Sequence, residues 1–478
     1  MRDKIVTLAG VALLASCANS PTGSPAKNAP DKRPNVIFIV ADDLGYGDLS
    51  CYGQKKFQTP NIDRLALNGM RFTQCYAGAT VSAPSRCSLV TGLHTGHAAI
   101  RGNKEVKPEG QQPLPAGTRT IFSMFKEAGY ATGAFGKWGL GYPGSEGAPE
   151  NQGVDVFFGY NCQRLAHNYY PAYLWHNDQK VELPENDNGA FGVYSQDLIQ
   201  EHTLRFIEDH KDNPFFLYVP CILPHAELLV PEDSIIMKFR GLYPETPYKG
   251  VDDGPNFRTG GYCSQAEPKA TFAAMVYRLD VYVGQIVDKL KELGLYENTM
   301  IVFTSDNGPH LEGGADPDFF NSNGIYRGYK RDLYEGGIRV PMIVSWNSRV
   351  APGTESDLVC TFWDMLPTFS EIIGTNEKSG DGLSILPTLT GKGVQKQHAH
   401  LYFEFLEQDG KQAVRKGNWK LLHLGVRKES MYELYNLAAN PSEVHNVIES
   451  YPEITQELKA IMEKEHTDDA LWPLFGGR

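Results

Sequence analysis

Three continuous apolar runs predict strands that are buried on both faces of a sheet. They extend over 35–41, 215–219 and 299–305. A strand with one solvated face alternates apolar and polar residues, whereas an unbroken apolar run is typical of a strand covered on both sides. Apolar residues at three- and four-residue spacing predict amphipathic helices over 120–128 and 270–293. Buried strands that alternate with such helices predict an α/β fold with a mostly parallel central sheet flanked by helices.

The pattern changes near residue 386. Short alternating stretches at 413–415 and 419–422 are separated by turn-forming residues, and a helical pattern follows over 453–465. We therefore predict a main domain over 34–385, followed over 386–478 by a smaller antiparallel sheet subdomain with a terminal helix.

The N-terminus has the pattern of an export signal. Basic residues precede an apolar run over 5–15, which is too short to span a membrane in a mature protein. The run ends in a Leu-Ala-Ser-Cys sequence that resembles the bacterial lipobox, in which the cysteine, here Cys17, is lipidated. We expect a lipoprotein signal peptide over 1–17, a flexible tether over 18–33, and an exported protein of the bacterial cell envelope that meets the membrane only through its lipid anchor. An ordinary secretory signal that contains a cysteine is the alternative.

Composition narrows the class of protein. Of the 478 residues, 41% are hydrophobic and 21% are charged, which is typical of a globular protein rather than a disordered one. The net charge of −12 argues against a broad nucleic-acid surface but leaves room for a small basic pocket that binds an anion. Eight cysteines are too few for a disulfide scaffold in a chain of this length.

Two of the apolar strands end in acidic or amide residues. Asp42 and Asp43 follow the first strand, and Asp306 and Asn307 follow the last. Adjacent carboxylates at the end of a buried strand repel each other unless a cation joins them. Three carboxylates and an amide oxygen suit Ca²⁺ or Mg²⁺ better than zinc. A solvated acidic turn would explain the first pair alone, but the second strand end favours a metal site.

The segment 82–92 predicts a helix whose N-terminus faces an anion. Pro84 suits the first turn of a helix, and Gly92 suits its end. Ser82 would then lie at the N-terminus, where backbone N–H groups and the helix dipole favour an anion. Arg86, four residues later, can point toward the same anion.

This segment resembles the signature of a known family. Ser82-x-Pro84-Ser85-Arg86-x-x-Leu89-x-Thr91-Gly92 is similar to the signature of the formylglycine-dependent, type I sulfatases of the alkaline phosphatase superfamily, in their arylsulfatase A-like branch. Further motifs of the family follow in the family's order: Phe135-Gly136-Lys137, Leu223-Pro224-His225, Asp306-Asn307-Gly308, Gly324-x-x-Arg327-Gly328-x-Lys330, Glu335-Gly336-Gly337-x-Arg339 and Leu434-Tyr435-Asn436. The chain is therefore identified as a member, and the resemblance implies an alkaline phosphatase-like fold and a bacterial carbohydrate sulfatase.

The resemblance also implies the cofactors. In this family the first residue of the signature is oxidised to formylglycine, whose hydrate offers one hydroxyl to attack sulfur and a second whose deprotonation expels sulfate. One Ca²⁺ ion would be held by the modified residue and by four further side chains: Ser82, Asp42, Asp43, Asp306 and Asn307.

The same resemblance implies roles for four cationic or titratable residues. Arg86 would steady the formylglycine, while Lys137, His225 and Lys330 would surround the sulfate. Cations offset the charge on the sulfuryl oxygens as the ester bond breaks. A general acid must also protonate the departing oxygen, and His225 is the first choice for it, with Lys330 second.

One family histidine is missing. Gly139 stands where many members have the histidine of a Lys-x-His motif, to which the base role that collapses the hydrate is usually assigned. His94, His97 and His310 are candidates to replace it, each with a structural histidine as the alternative. His310 is the most attractive because it follows the metal-ligand candidate Asp306 by four residues.

Serine rather than cysteine at position 82 indicates how the protein is matured. Serine-type members resemble those of anaerobic bacteria, in which an iron–sulfur radical enzyme performs the oxidation. We expect a partner of this type for Ser82. A Cys-to-Ser change engineered to trap substrate would produce the same sequence and stays an alternative.

The substrate is less well defined. The segment 159–171 mixes aromatic and hydrogen-bonding residues, as sugar-binding loops do, although core-facing loops share this composition. By analogy with glycan-degrading sulfatases we expect a sulfated galactose or N-acetylgalactosamine from host or algal glycans. The candidate sugar contacts are Arg101, Asn103, Gln163, His167 and Glu227.

Two rival functions fit parts of this pattern. A phosphate mono- or diesterase of the same superfamily would use unmodified Ser82 with the same metal and anion pocket. A sulfated-glycan-binding lipoprotein that has lost catalysis would bind the sugar without releasing sulfate.

Overall fold

The first apolar run forms β1 (Asn35–Ala41), the central strand of a large sheet, and all of its residues are buried. Ile37 and Ile39 belong to one apolar core, whereas Val36 and Phe38 belong to a second core on the opposite face of the sheet. Burial on both faces is the reason that the run is apolar without alternation.

The computed structural model describes residues 33–255, 257–377 and 380–476, so the signal peptide and lipobox, with all of the tether except residue 33, lie outside the described residues. The main sheet has eleven strands. After β1 these are β2 (Met70–Tyr76), β3 (Ala131–Lys137), β4 (Val156–Tyr160), β5 (Tyr173–His176), β6 (Gln179–Glu182), β7 (Phe215–Pro220), β8 (Thr299–Ser305), β9 (Arg339–Ser345), β10 (Thr354–Ser356) and β11 (Cys360–Thr361).

The strand order is β10-β2-β9-β8-β1-β7-β3-β4-β5-β6, with β11 paired to β2. The five central strands β8, β1, β7, β3 and β4 are all parallel, while β9 and the β5–β6 hairpin add antiparallel pairs. The carboxyl ends of the central strands therefore meet at one edge, which is where functional groups collect in such sheets.

Helices cover both faces of the main sheet. They are α1 (Pro60–Leu67), α2 (Ser82–Thr91), α3 (Ile121–Glu127), α4 (Ser195–Asp209), α5 (Pro268–Glu292), α6 (Pro317–Phe320), α7 (Glu335–Ile338), α8 (Met365–Ile373) and α9 (Leu386–Thr390). Helices α1, α4 and α5 pack in one core, whereas α2, α3 and α8 pack in the other.

The C-terminal part forms a separate antiparallel sheet followed by a helix. Its elements are β12 (Leu401–Phe405), β13 (Lys411–Lys416), β14 (Trp419–Leu424), β15 (Met431–Asn436) and α10 (Pro452–Glu465). One face of this sheet packs against α10 through Leu458 and Met462, and the other packs against Tyr76 and Trp363 of the main part.

The predicted α/β fold class, with its mostly parallel sheet and smaller C-terminal antiparallel sheet, is confirmed. From Arg33 onward the chain forms one compact unit, and the domain boundary between 385 and 386 stays a prediction. Within the described ranges, no helix combines the length and the apolar character that a membrane span requires.

Candidate active site

Three carboxylates and an amide meet at the carboxyl edge of the sheet. Because β1 and β8 pair in parallel with Ala41 opposite Ser305, the residues that follow each strand lie side by side. Asp306 Oδ1 accepts a hydrogen bond from the Asp43 backbone N–H at 3.1 Å, and Asn307 Nδ2 donates to Asp43 Oδ1 at 2.7 Å. All four side chains, those of Asp42, Asp43, Asp306 and Asn307, are buried. The structure thus brings together the residues that were predicted to bind metal.

The cluster fits a hard cation. Asn307 Oδ1 is buried and has no hydrogen-bond partner among the described residues, so an electron pair is free for a ligand. Burial and the neighbouring Asp42 carboxylate raise the pKa of Asp306 to about 7. Asp43 has a positive φ of 61°, a conformation that costs a non-glycine residue energy and that functional sites often retain. All-oxygen donors of this kind suit Ca²⁺ or Mg²⁺.

Ser82 lies at the start of a buried helix beside these carboxylates. Helix α2 begins at Ser82 and ends at Thr91, and Gly92 follows in the left-handed conformation, as the spacing of Pro84 and Gly92 predicts. Ser82 Oγ lies 2.9 Å from Asp42 Oδ1 and 3.4 Å from Lys137 Nζ. The hydroxyl is therefore held between a carboxylate and an ammonium group at the positive end of the helix dipole.

Lys137 and Arg86 supply positive charge to the same place. Lys137 is the last residue of β3, and its Nζ lies 2.5 Å from Asp42 Oδ2. Arg86 donates from Nε and Nη2 to Asp306 Oδ2 at 3.1 and 2.9 Å and from Nη1 to the Lys137 carbonyl at 2.6 Å. Although burial opposes it, the charges of Lys137 and Arg86 hold the pKa of Asp42 well below its usual range.

Lys330 and His225 contact the Asp43 carboxylate and each other. Lys330 Nζ lies 2.7 Å from Asp43 Oδ2 and 2.9 Å from His225 Nε2. Oxygens of Asp42 and Asp43 and a ring nitrogen of His225 all lie within 4.8 Å of one another. Glu312, which the sequence analysis missed, lies 3.5 Å from Lys330. Its position two residues after His310, in the loop that follows β8, could have identified it as a site residue from the sequence.

Of the three histidine candidates for the missing base, His310 lies beside His225, whereas His94 and His97 lie elsewhere. The His310 ring stacks on His225 with 5.6 Å between centroids, but its Nε2 contacts the Pro224 carbonyl and its Nδ1 accepts from the Glu312 N–H. Both of its ring nitrogens are therefore engaged by the backbone.

His94 and His97 contact other carboxylates. His94 Nε2 lies 3.3 Å from Glu465, and His97 Nδ1 lies 3.0 Å from Asp381. The structure thus places this pair beside Asp381 and α10, and it does not bring either ring to Ser82.

Gly139 itself is closely covered. It has φ +74°, and a Cβ built on it would lie 2.0 Å from Gln163 Nε2. A side chain at position 139 would therefore strain the backbone and would displace the carboxamide of Gln163.

The candidate sugar contacts divide into two groups. Asn103 Oδ1 accepts from the Ala83 N–H at 3.0 Å, beside Ser82, and the His167 ring stacks on His225 at 4.9 Å. Both residues therefore border the site. Gln163 borders it as well, because its carboxamide covers Gly139, two residues after Lys137.

Arg101 and Glu227 make structural contacts instead. Arg101 donates to Ala98, Glu404 and Thr467 from all three guanidinium nitrogens. Glu227 is buried, and its carboxylate accepts from the Tyr169 and Cys263 backbone N–H groups at 3.2 and 3.3 Å. Both side chains are therefore engaged by other parts of the chain, and their role as sugar contacts stays a prediction.

A mostly parallel sheet whose carboxyl edge holds a carboxylate cluster, a helix-terminal hydroxyl and two ammonium groups is the arrangement expected of a hydrolase for anionic esters. The Sulfatase family model matches residues 34–375, and a model described as N-sulphoglucosamine sulphohydrolase, C-terminal, matches residues 324–468. The chain belongs to the sulfatase family, in its arylsulfatase A-like branch of the alkaline phosphatase superfamily, and is a sulfuric ester hydrolase.

Individual relatives resemble the chain over nearly its whole length. It is 29% identical to N-acetylgalactosamine-6-O-sulfatase of Bacteroides thetaiotaomicron, with 96% of this chain and 98% of that protein covered. It is 29% identical to human arylsulfatase A, with 90% and 87% covered. The crystal structure of Ps i-CgsB in complex with k-i-k-neocarrahexaose is similar, with a TM-score of 0.76, 28% identity, and coverage of 93% and 95%.

Proposed function

We propose that the chain hydrolyses sulfate esters of carbohydrates, using a formylglycine made from Ser82 and one bound Ca²⁺ ion, and releases inorganic sulfate. The position of Ser82 carries this proposal, since its Oγ lies 2.9 Å from Asp42 and 3.4 Å from the Lys137 ammonium. The formylglycine would supply the nucleophilic oxygen at this place.

The residues around Ser82 support binding of a sulfate group. Asp42, Asp43, Asp306 and Asn307 would hold the Ca²⁺ ion, which supplies charge stabilisation for sulfuryl oxygens when bound. The ammonium group of Lys137 pairs with Asp42, and that of Lys330 pairs with Asp43. Charges fixed before the reaction stabilise a developing anion without reorganisation.

The relatives support a carbohydrate as the carrier of the sulfate. One of them is named for N-acetylgalactosamine 6-O-sulfate, and a structural neighbour is a complex with neocarrahexaose. We therefore propose sulfated galactose or N-acetylgalactosamine of host or algal glycans as the substrate, to be tested with regiospecifically sulfated saccharides.

Maturation and location form a second part of the proposal. A radical-type enzyme would oxidise Ser82, and the protein would be exported to the cell envelope with Cys17 lipidated. Cys17→Ala should move the protein from the membrane fraction to the soluble fraction; unchanged membrane association would refute the lipid anchor.

Peptide mass spectrometry of active protein from the native host tests the mechanism. The peptide that contains Ser82 should lack two hydrogens, and Ser82→Ala should abolish sulfate release. Ser88→Ala is a matched control, because Ser88 lies in the same helix with a hydroxyl that has no hydrogen-bond partner among the described residues. Active protein in which Ser82 is unmodified would instead support a phosphate mono- or diesterase. Oxidised protein that binds the sulfated sugar but releases no sulfate would support a binding protein that has lost catalysis.

A further inference from the structure

The carboxamide of Gln163 occupies the place of a side chain at position 139. It lies 2.0 Å from an ideal Cβ on Gly139, whose φ of +74° also favours glycine. Gly139 and Gln163 are therefore complementary, and a larger residue at 139 would displace the carboxamide.

This carboxamide belongs to the loop 161–167, which contacts two elements of the sulfate site. At one end, the Gly139 N–H donates to the Asn161 carbonyl at 3.0 Å, two residues beyond Lys137. At the other end, His167 stacks on His225 at 4.9 Å. The loop 161–167 is thus attached to the strand end that carries Lys137 and to the ring of His225, so it forms a wall of the site.

Three carboxamides in this region are buried with polar atoms that lack partners. Gln163 is only 6% exposed, yet neither its Oε1 nor its Nε2 has a partner among the described residues. The same holds for both amide atoms of Asn161 and for Nε2 of Gln111, whose Oε1 accepts from the Gln163 backbone N–H at 3.2 Å. Buried polar groups without partners are costly, and such a group at a site calls for a ligand or a water.

The chemistry of these groups matches hydroxyls. A carboxamide offers a donor and an acceptor in one plane and does not titrate, and a hydroxyl both donates and accepts. A sugar ring presents several hydroxyls beside its sulfated carbon, whereas the ring of a simple aryl sulfate presents none.

We propose that Gln163, with Asn161 and Gln111, binds ring hydroxyls of the sugar whose sulfate lies at Ser82, and that Gln163 therefore selects sulfated carbohydrates over aryl sulfates. This inference rests on the proposed sulfatase function, and it adds the residues that recognise the sugar through hydrogen bonds. Gln163 is a specificity determinant and takes no part in breaking the sulfate ester.

The test compares two substrates in one variant. Gln163→Met keeps nearly the same volume but removes the donor and the acceptor. In matured enzyme, kcat/KM for the preferred sulfated galactose or N-acetylgalactosamine should fall about 10- to 100-fold. The value for 4-nitrophenyl sulfate should stay within about threefold, because the sulfate contacts are intact. Equal losses on both substrates, or no loss on either, would overturn the proposal.

Asn186→Ala provides a matched control. Asn186 is a buried amide whose atoms all have partners, since it donates to Pro171 and Val193 and accepts from Gly192 and Val193. Its replacement should lower the melting temperature without changing the ratio of the two kcat/KM values. If the ratio of the two kcat/KM values also changes in Asn186→Ala, then this ratio responds to stability alone. A changed ratio in Gln163→Met would then count against a role for Gln163 in specificity.

Calorimetry on protein with unmodified Ser82 separates this inference from the sulfatase mechanism. The dissociation constant of the sulfated sugar should rise about 10- to 100-fold in Gln163→Met, while that of inorganic sulfate should stay within about threefold. The inference is overturned if the variant binds the sugar as the original chain does, or if the original chain binds sulfate but no sulfated sugar. If matured protein releases no sulfate from any ester, the proposed function fails, and this binding comparison still decides the role of Gln163.

Discussion

Lys330 Nζ lies 2.9 Å from His225 Nε2 and 2.7 Å from Asp43 Oδ2, so the two candidates for the general acid are in direct contact. Burial and the nearby ammonium groups of Lys330 and Lys137 lower the pKa of His225 well below its usual value. Although burial opposes it, the carboxylates of Asp43 and Glu312 raise the pKa of Lys330. These directions favour Lys330 over His225, the first choice from the sequence, as the group that holds the proton.

Replacement of Lys330 should therefore depend on the leaving group. Lys330→Met should lower kcat for sulfated sugars by about 100- to 10,000-fold, the usual range for a general acid. The loss should be smaller for 4-nitrophenyl sulfate, whose phenolate leaves without a proton. Lys269→Met is a matched control, because Lys269 is a buried lysine paired with Asp316 at 3.1 Å. Equal losses on both substrates would refute the role of Lys330 as proton donor.

Asp306 should be indispensable for the metal. We expect Asp306→Ala to abolish turnover and to eliminate the rise in melting temperature that Ca²⁺ produces in the original protein, because bound ligand stabilises the folded state by mass action. Differential scanning fluorimetry with and without chelator measures this rise. Asp280→Asn is the matched control, because Asp280 is a buried carboxylate that accepts hydrogen bonds from the Asn61 and Ile62 backbone N–H groups. This variant should keep the rise in melting temperature that Ca²⁺ produces. Near-normal activity of Asp306→Ala would contradict the metal assignment.

Arg101 should matter for stability rather than for substrate binding. It forms a buried ion pair with Glu404 at 3.0 Å and also donates to Thr467. Removing one partner of such a pair typically costs about 3–5 kcal/mol because the other charge is left buried. Arg101→Met should therefore lower the free energy of unfolding, measured with urea, and leave KM unchanged. A raised KM at unchanged stability would restore Arg101 as a sugar contact.

His466 should make stability depend on pH. The hydrogen bond to Glu404 raises the pKa of His466 above the value of 6.5 that it has in the unfolded chain. The folded state thus holds this proton more tightly, so the stabilisation is complete below about pH 6 and is lost as the pH rises through the raised pKa. From pH 6 to 8.5, the melting temperature of the original protein should fall relative to that of His466→Ala. Parallel curves would refute this contribution.

The sequence predicts the parts of the site that depend on single segments. The ends of β1 and β8 and the start of α2 follow from apolar runs and from the spacing of Pro84 and Gly92, because local patterns determine strands and helix termini. The family resemblance adds Lys137, His225 and Lys330, which the structure brings to the same carboxylates.

Contacts between distant segments could not be foreseen. Arg101 is 303 residues from Glu404, the carboxylate that engages it. The engagement of His310 depends on the Pro224 carbonyl, and the space over Gly139 is filled from a different loop by Gln163. Each of these residue types suits a binding site as well as a structural role, so only the packing distinguishes between them.

The burial of Ser82 limits when it can be oxidised. The residue is 2% exposed, and every residue of its helix is buried. Because an enzyme cannot reach a side chain inside a closed fold, the proposed oxidation has to occur on the nascent or unfolded chain. Purified maturase should therefore convert an unfolded peptide over 72–95 and leave the folded protein unchanged; conversion of both would contradict this order. Protein that folds before it is oxidised would stay inactive unless it is unfolded again, so the order of oxidation and folding decides how much of the protein is active.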